Sequence, residues 1–501
     1  MALERVGNVG DLLALHQNSS KKAVIDSSTS ITYEELYRQC KEAARLLSQE
    51  QFGNRVIGVY CPNSIAYIQA YFSIVYAGSV VVPIDTSSSS DEVCNIVNYC
   101  EIDCIVTAGD YIPELEDKLS GKTISVFDVN QCSWHRQYPL PTPSEDVSYL
   151  IANDVLVMLG TSGTTSRQKR VMLTHSGVLA NIRSNIDNLN LTHEDRCLVV
   201  LQMFFGYCHT SQLLSHIAVG GTLVVGEPVF MPQAFLKAIE KHRVTNSTIV
   251  PSLLIGLGKF RSHGQFDISS LRFLAFGGSV SSREMVSALE QKYPTVQFVH
   301  TYGQTEASPR LTSYIPKRCN YGKPGSVGKP INNVRIKIVD NEGEELPPNS
   351  DGRIIATGPN LMLGYFKNQQ ATEATLIDGW LHTGDIGYKD EEGFLYISGR
   401  EKNIIISGGL NIYPEDIEEV IKLHEQVDKV VVVPEPHKYL GEVPSANIVA
   451  KAGTDPDTLL EGVETLCRTK LNRNKVPFSY NLVNELPTTH SGKIIRYRDD
   501  V

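Results

Sequence analysis

Residues 56–84 read VIGVYCPNSIAYIQAYFSIVYAGSVVVPI, with no charged side chain anywhere in the run. A stretch that long exceeds the ~20 apolar residues a membrane-spanning helix requires. Its interior argues for something else. Cys61-Pro62-Asn63 and Ala77-Gly78 divide it into three pieces. The outer two, VIGVY and SVVVPI, are rich in β-branched residues, while SIAYIQAYFSIVYA between them has helical texture. The stretch is therefore a buried strand, helix and strand, the unit from which covered parallel sheets are built.

The same alternation continues outward. CIVTA, VLVML, CLVVLQ, GTLVVG, STIV and RFLAFGG are short apolar strands separated by amphipathic helices through the first 300 residues. Between about 320 and 400 the texture changes to short Gly-rich strands, VRIKIVD, EELPP, GRIIATG, GWLHTGD and GFLYISG, which predicts a small antiparallel or barrel-like part. From about 403 a new α+β pattern begins with IIISG, a helix from Pro414 through Lys422, KVVVVPEP, and a helix around Leu459 to Leu471. The domain boundary is placed at Arg400 to Asn403, giving domains of 1–401 and 402–501.

A chain of 501 residues is too long for one hydrophobic core. At 42% hydrophobic and 20% charged residues it is a globular protein. The net charge of -10 disfavours nucleic acid and anionic membrane surfaces as partners, since both require a basic face. Ten cysteines occur without a CxxC pair or a zinc-ligand spacing; Cys94, Cys100 and Cys104 are read as buried thiols. A reducing cytoplasm is the expected compartment. The N-terminal MALERVGNVGDLLALHQ lacks the apolar core of a secretory signal.

Chemistry enters after the strand VLVML, where the chain reads TSGTTSRQKR from Thr161 to Arg170 before the helical LTHSGVLANI. Ligands bind at strand ends in parallel α/β architecture, and the free N–H groups of a small-residue loop can surround phosphate oxygens. Lys169 adds a cation. The pattern is not a Walker A loop, because GxxxxGK[ST] is absent.

TYGQTE at 301–306, GWLHTGD at 379–385, GREK at 399–402, GGLNIYPEDIEE at 408–419 and LPTTHSGKIIR at 486–496 follow in the order and spacing of the adenylate-forming (ANL) superfamily. The chain resembles its acyl- and aryl-CoA synthetases, peptide-synthetase adenylation domains and firefly luciferase, from ITYEEL at 31 to GKIIR at 492. The resemblance implies an α/β fold with a large N-terminal domain of parallel-rich sheets in layered αβ subdomains, a small β-barrel-like part, and a small mobile C-terminal α+β domain. It also implies an AMP-forming ligase that uses ATP and Mg²⁺ to activate a carboxylic acid and passes the acyl group to a thiol.

Residue by residue, the resemblance implies that Thr161, Ser162, Gly163, Thr164, Thr165 and Lys169 enclose the β- and γ-phosphates. Thr305 would bond a phosphate oxygen, and Glu306 would offer Mg²⁺ a hard oxygen ligand. Tyr302 would stack on adenine, with Gly277, Gly278, Ser279 and Gly303 along its edge; Asp385 and Arg400 would meet the ribose. Lys493 would bridge the acid's carboxylate and the α-phosphate in adenylation. Rotation at the hinge residue Lys402 would then withdraw it and present Gly408 and Gly409 as a thiol tunnel.

Departures from the family pattern narrow the substrate. Ser166, Gln168 and Arg170 stand where Gly, Pro and Gly are usual, and extra arginines could aid phosphate capture. In the acid-pocket segment LQMFFGYCHTSQ, 201–212, Gln202, Phe205 and Cys208 replace the usual Pro, His and Gly. Phe204, Phe205 and Tyr207 suit a compact, partly aromatic pocket, with His209 facing a polar substituent or belonging to the core. No Asp or Glu occurs from Cys197 to Gly226 to balance an α-ammonium, which disfavours an ordinary amino acid. The acceptor is left open between CoA and the phosphopantetheine of a separate carrier protein. The competing readings are an amino-acid adenylating enzyme and a catalytically weak nucleotide-binding homologue.

Overall fold

The computed structural model describes residues 3–27, 29–119, 121–160, 169–225, 231–249, 251–277, 283–316, 322–323, 325–407, 410–438, 440–471, 475–488, 494 and 496. The chain divides into two compact units. The first comprises 1–160, 170–335 and 357–381; the second comprises 161–169, 336–356 and 382–501.

The opening stretch folds as read. Strand Val56–Tyr60 is buried along its whole length, helix Ile65–Tyr76 buries ten of its twelve residues, and strand Val80–Pro83 returns parallel to the first. Ser64 starts the helix by accepting from the Tyr67 amide at 3.2 Å, an N-cap that satisfies a donor the helix cannot. Among the described residues no helix is long and apolar enough to cross a membrane.

This unit contains an eight-stranded and a nine-stranded sheet. In the eight-stranded sheet Val56–Tyr60 lies between Val80–Pro83 and Cys104–Thr107, both parallel to it, and Val155–Gly160 pairs with Val80–Pro83. In the nine-stranded sheet Arg196–Val199, Asn246–Ile249, Phe273–Phe276 and Gln297–Gly303 run parallel in that order, and Arg310–Tyr314 joins them antiparallel. One apolar core contains Val59 and Val81 of the first sheet, Leu198 and Val224 of the second, and helices Tyr33–Gln49, Ile65–Tyr76 and His175–Leu189. Helices thus share a core with both sheets; Ile65–Tyr76 is buried on nearly every face, whereas Tyr33–Gln49 buries one face through Tyr33, Leu36, Cys40, Ala43, Ala44 and Leu47.

Strands Gly352–Thr357, Trp380–Lys389 and Leu395–Arg400, most of whose residues are in the second unit, belong to a small sheet with Arg335–Val339. EELPP forms no strand; Val339 and Glu345 make a single antiparallel bridge there, and Pro347 and Pro348 have no N–H to continue the ladder. Strands Ile405–Ser407, Leu410–Ile412, Val427–His437, Gly441–Ala450 and Ser479–Leu482 form the other sheet. Helices Pro414–Lys422 and Pro456–Lys470 bury Ile417, Ile421, Leu459, Val463 and Cys467 in a core with its Val430, Val432, Ala446 and Ile448.

Candidate active site

Asn63, in the break that follows the first strand of the opening stretch, fixes the acid-pocket segment. Its side-chain amide donates to Leu201 O at 2.7 Å, and its Oδ1 accepts from Met203 N at 2.8 Å. Phe204 and Phe205 follow with ring centroids 4.5 Å apart, and Phe205 keeps 37% of its surface exposed. A fully buried Phe would need no other explanation than packing; a half-open aromatic pair at a strand end is available to a ligand.

The chain then turns into a helix whose His209–Leu214 portion has π geometry, a local widening that recurs at functional sites. His209 is wholly buried, its Nε2 2.8 Å from Tyr71 Oη, and burial pulls its pKa down to about 3. The ring is therefore neutral at physiological pH, and both its nitrogens have core partners, Nε2 the Tyr71 hydroxyl and Nδ1 the Thr210 hydroxyl at 3.2 Å.

TYGQTE spans the end of strand Gln297–Gly303 and the start of a short helical turn, Thr305–Ala307. Tyr207 Oη lies 2.5 Å from Thr301 Oγ1, which donates to Phe276 O at 3.0 Å. A Cβ built on Gly206 would stand 3.6 Å from the Thr305 side chain and 3.4 Å from Leu159. The acid segment, the TYGQTE run and the strand leading to the Thr161 loop thus meet at one end of this unit. Gly303 has a packing reason of its own: a Cβ there would sit 1.9 Å from Pro309 O. Gly277 has another, because its Cβ would fall 2.3 Å from Thr301 O.

Two buried asparagines hold the turn after Glu306. Asn181 donates to Ala307 O at 3.1 Å and Arg310 O at 2.9 Å, and Asn360 donates to the same oxygens at 2.6 and 3.2 Å. Glu306 is half-buried; its O accepts from Met362 N at 2.8 Å and its Oε1 from Tyr365 Oη at 2.7 Å. Burial and the neighbouring Glu306 together push the Tyr365 phenol up, so it remains a donor. One carboxylate oxygen is thereby anchored. Among the described residues no cluster of three or more His, Cys, Asp or Glu could hold a metal alone. A single fixed carboxylate instead suits Mg²⁺, which takes one or two protein oxygens and completes its shell with phosphates and water.

In the second unit, Asp385 is a Cα partner of Arg400, and its Oδ1 lies 2.6 Å from Arg400 Nε. The Asp385 side chain is 4% exposed and that of Arg400 50%, so the carboxylate is a fixed base beneath a reachable guanidinium. Lys402 is exposed in the turn Glu401–Asn403, and Asn403 beside it donates to Glu415 Oε1 at 3.0 Å.

Lys169 is exposed. Arg170, by contrast, is 4% exposed at the head of strand Arg170–Thr174, close enough for its charge to act on the Cys100 thiol. It is a buried residue of the sheet, where the sequence suggested a phosphate contact. Thr161, Ser162, Gly163, Thr164, Thr165, Ser166, Gln168, Gly278, Ser279, Gly408, Gly409 and Lys493 lie outside the described residues.

The model of the AMP-binding enzymes matches residues 14–366, and that of the AMP-binding enzyme C-terminal domain matches residues 416–493. The chain belongs to the AMP-binding enzyme family. This AMP-binding enzyme is 31% identical to a long-chain-fatty-acid–CoA ligase of Bacillus subtilis, over 95% of its own length and 91% of the relative's. It is 30% identical to a 2-succinylbenzoate–CoA ligase of Bacillus licheniformis, over 95% and 96%. Among solved structures it resembles o-succinylbenzoate CoA synthetase from Bacillus subtilis in complex with its acyl-adenylate intermediate, with TM-score 0.83 and 26% identity over 97% and 96% of the two chains. The same synthetase is known in complex with ATP and magnesium, matched at the same score and identity over 97% and 98%.

The AMP-binding enzyme's Asn63, Asn181, Asn360 and Tyr365 went unnoticed in the sequence. Asn181 carried a faint signal: it shares a helix face with Val178, Ile182 and Asn185, where a polar residue must find a buried partner. For Asn360 and Tyr365, distant in sequence from TYGQTE, the sequence holds no signal.

Proposed function

We propose that this enzyme is an ATP-dependent acid–CoA ligase for a compact acyl or aryl acid. A carboxylate oxygen of the acid attacks the α-phosphorus of ATP, the bond to the bridging oxygen breaks, and pyrophosphate leaves. The thiol sulfur of CoA then attacks the acyl carbon, its proton is lost, and AMP departs with the C–O bonding pair. The observation that carries this reading is the junction of Tyr207, Thr301 and Thr305 beside an anchored Glu306, on a chain matched along nearly its whole length by CoA ligases.

In this proposal Thr161, Ser162, Gly163, Thr164, Thr165 and Lys169 hold the β- and γ-phosphates and Thr305 a phosphate oxygen. Tyr302, with Gly277, Gly278, Ser279 and Gly303, receives adenine; Asp385 accepts from the ribose hydroxyls while Arg400 reaches the same sugar. Glu306 would hold Mg²⁺, which supplies charge neutralisation of the triphosphate. Lys493 bridges the carboxylate and the α-phosphate. The domain boundary lies at 401/402, and turning at Lys402 exchanges Lys493 for the Gly408–Gly409 thiol tunnel. Phe204, Phe205 and Tyr207 face the acid, with His209 behind them. We place the enzyme in the cytoplasm, a reading supported by the free thiols of nine described cysteines.

ATP–pyrophosphate exchange across a panel of acids tests the first step. Exchange with at least one acid, lost by at least about 100-fold in Lys493→Ala, is expected; ATP binding with no exchange from any acid refutes the proposal. With that acid, CoA and a pantetheinylated carrier protein are then offered separately, and CoA is expected to be the acceptor.

A further inference from the structure

Arg310 is 2% exposed and, among the described residues, has the largest of the wholly buried side chains. It begins the antiparallel strand Arg310–Tyr314, where its Cα pairs with Gly303. Its guanidinium carbon lies 5.9 Å from the ring centroid of Tyr207, the residue whose hydroxyl meets Thr301. Nη1 donates to Asn185 Oδ1. The orientation of Asn185 is itself fixed, since its amide donates to Ser211 O at 3.2 Å and Ser215 Oγ at 2.9 Å. Nε and Nη2 are buried and make no hydrogen bond of ordinary length; the neutral Tyr207 hydroxyl is close enough to favour the guanidinium's charge but brings no negative charge to balance it. Among the described residues no carboxylate lies within ion-pair distance of this cation.

Those two nitrogens share one edge of the guanidinium. That edge presents two parallel N–H groups, the geometry that takes a carboxylate through both oxygens. An arginine does not escape burial by losing its proton near neutral pH. Leaving a charged, unpaired group inside a protein is costly unless something binds it. The segment facing Arg310 offers no internal anion, because no Asp or Glu occurs from Cys197 to Gly226.

We propose that Arg310 is a substrate-binding residue that receives a second carboxylate of the acid, so that the enzyme activates one end of a dicarboxylic acid while the Nε–Nη2 edge of Arg310 holds the other. This deepens the proposed ligase function and rests on it for the identity of the reacting end. Tyr207 forms the wall between the two carboxylates, touching Thr301 on one side and the guanidinium on the other.

The test compares matched pairs of acids, benzoate with isophthalate and terephthalate, and hexanoate with adipate, in ATP–pyrophosphate exchange with wild type, Arg310→Met and Arg310→Lys. A diacid is expected to exceed its monoacid by about 10-fold or more in kcat/KM, as two charge-assisted hydrogen bonds imply. Arg310→Met should lower the diacid's kcat/KM about 30-fold, mainly through KM, and leave the monoacid within about 3-fold; Arg310→Lys should fall between. Equal use of mono- and diacids by wild type, or an equal loss for both in Arg310→Met, overturns the proposal. Thermal unfolding with the acids alone reads the same contact without catalysis. A diacid that raises the melting temperature of wild type but not of Arg310→Met supports the site even where exchange fails, which would then count against the ligase function alone. No diacid-specific shift together with no exchange overturns both.

Discussion

Replacing Tyr365 by Phe removes one atom from the site and changes little else. The phenol is 5% exposed on strand Gly364–Tyr365, which pairs with Val171 and Met172, so the ring keeps its packing. What the site loses is the 2.7 Å hydrogen bond to Glu306 Oε1; a further contact of the hydroxyl with Thr375 goes with it. A hydrogen bond to a charged group contributes about 1.5–3 kcal/mol when buried. Glu306 is only half-buried, so water recovers part of this, and about 1.4 kcal/mol, or tenfold, is the expected loss. In ATP–pyrophosphate exchange, Tyr365→Phe should therefore lower kcat/KM about tenfold and raise the Mg²⁺ concentration needed for half-maximal rate, with the melting temperature shifted little. Glu306→Gln should lose far more. The double variant should be no worse than Glu306→Gln by itself, because the Tyr365 hydroxyl reaches the site through that carboxylate. An unchanged Tyr365→Phe, or a double variant in which the two losses multiply, would refute this account of Glu306.

Other outcomes follow from buried charge elsewhere. His209, with its pKa lowered by burial to about 3, binds fewer protons folded than unfolded between roughly pH 3 and 6.5. Its stability contribution is complete above pH 6.5 and is lost as pH falls through that window, by about 2 kcal/mol at pH 5. Thermal melts from pH 7 to 5 should fall less steeply in His209→Gln than in wild type; parallel curves would contradict the neutral ring. In the second unit Arg496 Nη1 and Nη2 reach Glu418 Oε1 and Oε2 at 2.5 and 3.0 Å, and Nη2 lies 3.3 Å from Glu415 Oε1. Arg496→Met leaves Glu418 buried without its cationic partner, with the Val432 amide still donating to Oε1, and a cost of about 3–5 kcal/mol should appear as an early unfolding step in calorimetry. A single transition at the wild-type temperature would show that this pair is dispensable.

The sequence by itself determined the order and kind of the elements. Alternating apolar strands and helices specify covered parallel sheets because both faces of each strand must be buried, and that requirement is written locally in VIGVY, CIVTA and VLVML. It specified the helix at Pro414–Lys422 to the residue, since Pro opens it and its acidic first turn suits the helix dipole. The motifs likewise identified the family, because chemistry on a nucleotide demands particular side chains in a fixed order. EELPP misled, for apolar spacing says nothing of which backbone donors proline has removed. Gly277 and Gly303 were legible as positions but not as causes, since the carbonyls that forbid a side chain there, of Thr301 and Pro309, come from elsewhere in the chain.

Only the tertiary structure decided which polar groups are satisfied. Asn181 and Asn360 converge on the turn after Glu306 from residues far apart in the chain. Tyr365 anchors Glu306 across a similar separation. His209 turns out to bond Tyr71, and Arg170 to lie inside the sheet. Arg310 looked like an ordinary strand residue after TYGQTE, yet it is a cation sealed inside with one edge unpaired. Hydrogen-bond satisfaction depends on which distant atoms meet in a water-poor interior, and local spacing along a chain does not encode that meeting.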